Sequence, residues 1–228
     1  MESLFYFYKM TAINKQELLD YLLNFLSENK KTLFYQIIEE RTKHITVALE
    51  DIFQPQNASA VLRSCDVFGI QDVHIIENRN KYNINPSVVH GASKWLNLYK
   101  YNKNENNTFD CINQLKSNGY TVYATTPHTN DCLIQDLPLT HKIALLFGTE
   151  EKGLSEIAMK NADGFVKIPM VGFTESLNIS VSAAISLYEL SKRLKSSSIN
   201  WELTNEEKIE QLIIWAKKVI KDGALIEK

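Results

Sequence analysis

Between Ile45 and Ile168 the chain repeats one pattern, and that pattern limits the folds open to it. Short β-branched or apolar runs (Ile45–Leu49, Val73–Ile76, Thr121–Thr125, Ile143–Phe147 and Phe165–Ile168) are separated by stretches with helical spacing of apolar residues. The helical stretches fall at about 58–68, 108–117, 155–161 and 177–195. Strands that alternate with helices are joined by right-handed crossovers, which gives a mostly parallel sheet with helices on both faces. Residues 77–107, rich in Asn and Lys, read as loop. The chain outside the repeat is helical. Leu18, Leu19, Leu22, Leu23, Phe25 and Leu26 mark a helix over 15–28, with Asn14 and Glu17 in capping-box positions, and a second helix covers 32–42. After the Ser196–Ser198 loop, Thr204 and Glu207 open a terminal amphipathic helix. The expected division is a helical extension over 1–44, an α/β domain over 45–195 and a helical extension over 196–228.

Several function classes are excluded early. A length of 228 residues suits one α/β domain with additions, and 44% hydrophobic with 23% charged residues is globular composition. A net charge of −2 argues against a basic nucleic-acid coating protein but leaves a local RNA-binding face open. No apolar run approaches the ~18 residues of a membrane span. The opening MESLFYFYKM lacks the basic region of a signal peptide. Cys65, Cys111 and Cys132 are odd in number and form no CxxC, so they read as reduced thiols in a cytoplasmic protein. The histidines (44, 74, 90, 128 and 141) are scattered with no metal-ligand spacing.

Ligands of open parallel sheets sit beyond the carboxyl ends of the strands. Polar and glycine-bearing segments recur there: Glu50-Asp51, Thr126-Pro127-His128, Gly148-Thr149-Glu150 and Pro169 to Asn178. Three of these regions stand out. In NASAVLRSCDVFGI (57–70), Asn57 is placed to cap a helix, and Arg63 lies opposite its apolar stripe, where a guanidinium could hold a phosphate in a fork. LLFGTEEKGLS (145–155) is neither a P-loop nor a GxGxxG turn, yet it holds two of the chain's 8 glycines. In IPMVGFTESLNISVSAA (168–184), Pro169 ends a strand. Ser176 and Asn178 then stand at the start of a helix rich in small residues.

Together these three segments, in this order, resemble the signature motifs of the SpoU-type (TrmH) RNA ribose 2′-O-methyltransferases of the SPOUT superfamily. HGASKW (90–95), TVYAT (121–125) and ADGFVKIP (162–169) agree as well. Among the subfamilies, the first and third motifs are most similar to those of the tRNA guanosine-18 methyltransferases, which act on the D-loop. The resemblance implies a deep trefoil knot in the C-terminal part of the sheet, S-adenosylmethionine as methyl donor, no metal, and a homodimer. It implies Arg63 as the catalytic residue of the first motif with Asn57 positioning it. Glu150, Ser176 and Asn178 would complete the catalytic group. Thr125, Thr126, Gly148, Ile168, Met170 and Leu177 would hold the cofactor.

The implied reaction moves a methyl group from a sulfonium to a ribose 2′-hydroxyl, which must be aligned and lose its proton. Because guanidinium stays protonated, the physical role for Arg63 is to grip a phosphate and stabilise charge on the 2′-oxygen. Gln56 and Lys152 depart from the family pattern, which leaves ribosomal RNA or another tRNA nucleotide as alternative substrates. A non-catalytic RNA-binding knot protein is the alternative of another class. Candidate RNA contacts are Lys30, Lys31, Arg41 and Lys43 on one side. On the other they are Lys192, Arg193, Lys195, Lys217, Lys218 and Lys221.

Overall fold

The computed structural model describes residues 14–83, 85–127 and 132–220. His128 and Lys221 lie outside the described residues. The described residues form two compact units, one built from 14–41 and 202–220 and one from 42–201.

Among the described residues the larger unit holds seven parallel strands in the order β3-β2-β1-β6-β4-β7-β5. They are β1 (Ile45–Glu50), β2 (Asp72–Ile76), β3 (Asn97–Tyr101), β4 (Tyr120–Thr125), β5 (Cys132–Leu133), β6 (Lys142–Phe147) and β7 (Gly164–Lys167). The α/β reading therefore holds. The helices of this unit, numbered after α1 and α2 of the terminal unit, are α3 (Pro55–Val67), the short α4 (Pro86–Val89), α5 (Asn107–Ser117), α6 (Glu156–Asn161) and α7 (Ile179–Lys195).

β1 lies mid-sheet between β2 and β6 and is buried along its whole length. A strand covered on both faces is apolar throughout. Its period-2 alternation still sorts side chains by face. Ile45, Val47 and Leu49 join the core under α3 and α7, and Ala48 joins the core under α5 and α6. Glu50 is the exception to the apolar rule, and it is only 2% exposed.

The stretch read as loop over 77–107 contains α4, a 3-10 turn at Ala92–Lys94 and the edge strand β3. Its Asn and Lys content masked a strand whose burial is only partial, as an edge permits. β5, two residues long, carried no readable period.

The terminal unit contains α1 (Lys15–Leu23), α2 (Glu28–Ile38) and α8 (Asn205–Val219). The sequence reading treated the two ends as separate extensions, whereas the structure gathers them into one body. Leu19, Leu22, Phe34, Leu212 and Trp215 are buried together, with Phe34 edge-on to Trp215 at 5.6 Å. Lys15 adds hydrogen-bonded ion pairs to Glu206 (2.6 Å) and Glu210 (2.5 Å), which raise its pKa to about 12. The capping box of Thr204 and Glu207 forms as read. At Asn14 only the side chain of Asn14 itself caps, accepting from Gln16 N.

Candidate active site

Residues at the carboxyl ends of β4, β6 and β7 line a cavity of about 430 Å³, within the usual range for small-molecule sites. Thr125, Thr126, Gly148, Ile168, Met170 and Leu177 all lie on its wall, as do Glu150 and Ser176. Thr125 Oγ1 donates to Leu146 O at 2.7 Å, and Thr126 N donates to Val166 O at 3.1 Å. These bonds tie the β4 exit to both neighbouring strands.

The 148–154 loop is tightly folded. Thr149 and Gly153 exchange two backbone hydrogen bonds of 2.9 and 3.0 Å. Gly153 sits at φ +66°, where a side chain is strained. At Gly148 the constraint is space: a Cβ would lie under 3.0 Å from Gly153 C, Gly153 O and Leu154 N. The cavity wall is thus two backbone segments in contact, a shape that suits a bound ligand needing close main-chain approach.

Glu50 holds this loop from behind, and sequence reasoning assigned it no role. Its carboxylate accepts from Ser155 N (2.8 Å), Ser155 Oγ (2.7 Å) and Thr108 Oγ1 (2.5 Å). The available signal was the residue itself, since a carboxylate ending a run as apolar as ITVAL must find partners on burial.

A second cluster lies beside the cavity. The sequence places Asn57 as a helix cap, but in the structure it does not cap. Pro55 occupies the first turn, α3 starts there, and Gln54 is the N-cap residue. One turn inside, the buried Asn57 side chain is therefore available for tertiary bonds. Its Nδ2 donates to Glu150 Oε1 at 2.5 Å and to Gln54 Oε1 at 3.3 Å. Its Oδ1 accepts from Asn178 Nδ2 at 3.1 Å. Asn178 is the N-cap of α7, and its Oδ1 accepts from Ser180 N at 2.8 Å and Ser180 Oγ at 2.6 Å. The result is a directed chain of donors, Ser180 to Asn178 to Asn57 to Glu150. The carboxylate accepts only, and this fixes the orientation of both amides.

Arg63 does not join this cluster. It lies six residues beyond Asn57 on α3, about 120° round the helix by the 100° step. It is exposed and makes no hydrogen bond or ion pair among the described residues.

The expected RNA-contacting cations divide sharply. Arg41 is only 3% exposed, with its guanidinium over the Trp215 ring at 5.4 Å, so it packs the terminal unit. Arg193 donates to Ile134 O (3.1 Å) and Leu137 O (2.8 Å) and is engaged within the fold. Lys43 lines a separate cavity at the amino ends of the strands, opposite the site. Lys31 pairs with Glu28 at 2.7 Å. Lys30 is half-buried. Lys192 and Lys195 are exposed, over the rings of Tyr188 and Trp201 respectively. Burial lowers the pKa of Lys218. Among the described residues no group of three or more His, Cys, Asp or Glu is placed to hold a metal, and no helix is long and apolar enough to cross a membrane.

An open parallel sheet with a cavity at its strand ends and a Gly-turned wall defines a ligand-binding α/β domain. Residues 44–188 match the model of the SpoU rRNA methylase family. The chain belongs to that family. It is 42% identical over 206 residues, 90% of this chain and 93% of the relative, to a Borreliella burgdorferi protein named tRNA (guanosine(18)-2′-O)-methyltransferase. A Thermus thermophilus protein of the same name is 31% identical over 84% of this chain and 98% of its own length. Among solved structures, the TrmH/SpoU tRNA modifying enzyme of Aquifex aeolicus superposes with a TM-score of 0.75 at 27% identity, covering 85% of this chain and 98% of that one. The SpoU methyltransferase AviRb of Streptomyces viridochromogenes, in complex with AdoMet, gives 0.60 at 25% identity, covering 71% of this chain and 65% of that one.

Proposed function

We propose that this protein methylates the ribose 2′-hydroxyl of guanosine 18 in the D-loop of tRNA, using S-adenosylmethionine, in the cytoplasm. The observation that carries the reading is the Asn178–Asn57–Glu150 chain beside the cavity. It joins the three motifs, and the relatives matched over most of the chain bear that name.

S-adenosylmethionine, when bound, supplies a methyl group already activated on a sulfonium. Thr125, Thr126, Gly148, Ile168, Met170 and Leu177 would hold it, several through backbone groups. Glu150, oriented by Asn57, and Ser176 would position the acceptor sugar. Arg63 would grip a phosphate of the RNA and stabilise charge on the 2′-oxygen as its proton leaves. Lys30, Lys31, Lys192, Lys195 and the half-buried Lys217 remain candidates for RNA backbone contacts.

Two further elements belong to this reading. The chain after β7 would thread through the preceding loops as a trefoil knot. The convergence of the β4, β6 and β7 exits on one cavity, and the return of α7 to pack against α3, support that path. The second element is a homodimer. Val181, Ile185 and Tyr188 of α7 are 44%, 39% and 54% exposed and share one face. Val67, one turn beyond Arg63 on α3, is 68% exposed. A second copy covering these residues would carry Arg63 to a cavity edge.

The test is methylation of a tRNA transcript with labelled S-adenosylmethionine, followed by mapping of the modified nucleotide. Label at guanosine 18 is expected. Label at another tRNA nucleotide, or in ribosomal RNA alone, overturns the substrate. Absence of transfer to any RNA favours a non-catalytic binding protein.

A further inference from the structure

Asp51 follows β1 with φ +52°, a left-handed conformation uncommon for a residue with a Cβ. Its Oδ1 accepts from the backbone N–H groups of Asn78, Arg79 and Asn80 at 2.7, 2.9 and 3.3 Å. Asn80 Nδ2 returns a bond to Asp51 O at 2.7 Å. Glu77 Oε1 accepts from Tyr82 N at 2.7 Å, and Asn78 Nδ2 donates to Thr108 Oγ1 at 2.8 Å. The loop after β2 is therefore exposed yet held in one shape, by the carboxylate of Asp51 from the β1 exit and by that of its own Glu77.

Two side chains of that loop take no part in holding it. Arg79 and Lys81 are exposed and make no hydrogen bond or ion pair among the described residues. Phe53, two residues beyond Asp51 toward Asn57, is 70% exposed. None of the three lines the cavity. All three follow the carboxyl ends of β1 and β2, the end of the sheet where Asn57 meets Glu150. An ordered pair of outward cations with an unburied aromatic is the equipment of a single-stranded nucleic-acid site, in which bases stack on rings and phosphates meet cations.

We propose that Phe53, Arg79 and Lys81 form a platform for the unpaired part of the RNA substrate: Phe53 stacks a base, and the two cations hold the phosphates beside it. The proposal rests on the RNA-methylation reading. A binding assay without turnover keeps the two failures apart.

The experiment measures the affinity of unmethylated tRNA for the full chain across a range of salt concentrations, with S-adenosylmethionine binding and solution mass as companions. Arg79→Ala combined with Lys81→Ala should flatten the slope of log affinity against log salt by about 1 to 2. Phe53→Ala should weaken tRNA binding roughly ten-fold, with Phe53→Trp restoring it. Cofactor affinity and mass should not change. Wild-type slope and affinity in these variants would overturn the platform. So would a loss of affinity accompanied by a change in mass, which would assign Phe53 to an interface between copies. Tight tRNA binding without methylation would leave the platform standing and remove the reading beneath it.

Discussion

Replacing Gly148 by alanine tests the close-packed cavity wall directly. The new Cβ would lie under 3.0 Å from three backbone atoms, Gly153 C, Gly153 O and Leu154 N. None of these is the tip of a flexible side chain, so the loop itself must move. Overpacking of this kind costs about 1–3 kcal/mol. The alternative is to release the two Thr149–Gly153 backbone bonds, at about 1 kcal/mol each. The two routes meet at a cost near ~2 kcal/mol. Charged to the ligand-bound shape of the loop, that is roughly a 30-fold loss of S-adenosylmethionine affinity, since 1.4 kcal/mol is ten-fold. Charged to the fold, it lowers Tm by about 4–8 °C. Isothermal titration calorimetry and a thermal melt read the two outcomes. Gly153→Ala is the control: its Cβ meets nothing within 4 Å, so only the strain of φ +66° remains. A Gly148→Ala protein with wild-type cofactor affinity and wild-type Tm would refute the reasoning.

Three other outcomes are expected. Asn57→Asp should reduce turnover more than Asn57→Ala, because it faces the Glu150 carboxylate with a second one; single-turnover rates at saturating tRNA decide the order. Arg63→Lys should lose at least 100-fold in kcat while keeping its Tm, since the exposed guanidinium holds nothing in the folded chain and an ammonium lacks the planar fork. His74 is buried between Tyr99 and Tyr101, and desolvation depresses its pKa from 6.5 to about 4. The unfolded chain therefore binds the extra proton first as pH falls. Stability is complete above about pH 6.5 and declines towards pH 4, by up to about 3 kcal/mol. Thermal melts across that range should show the decline, and His74→Phe should flatten it.

Much of the site was legible because chemistry and spacing coincide along the chain. Strand ends announce themselves by apolar runs that stop at Gly148 or Pro169, so the cavity-lining loops could be found before any coordinates. Asn57 was legible as a polar residue at a helix start, but its partner was not. Pro55 moved the helix start three residues earlier and freed the amide for Glu150. Arg41 and Arg193 read as surface cations because sequence records charge and not burial. Trp215 and the carbonyls of Ile134 and Leu137 claim them.

The sequence by itself determined the α/β class, the strands of the sheet's centre and the family, since each is written in local periodicity or in contiguous motifs. Only the tertiary structure decided which distant groups share a bond. Glu50 reaches Ser155 across 105 positions of chain, and Asn178 reaches Asn57 across 121. Such pairings depend on strand order, which places β6 beside β1 although four other strands come between them in the chain. Local periodicity carries no term for that order, because it is fixed by how the crossovers pack on the two faces of the sheet.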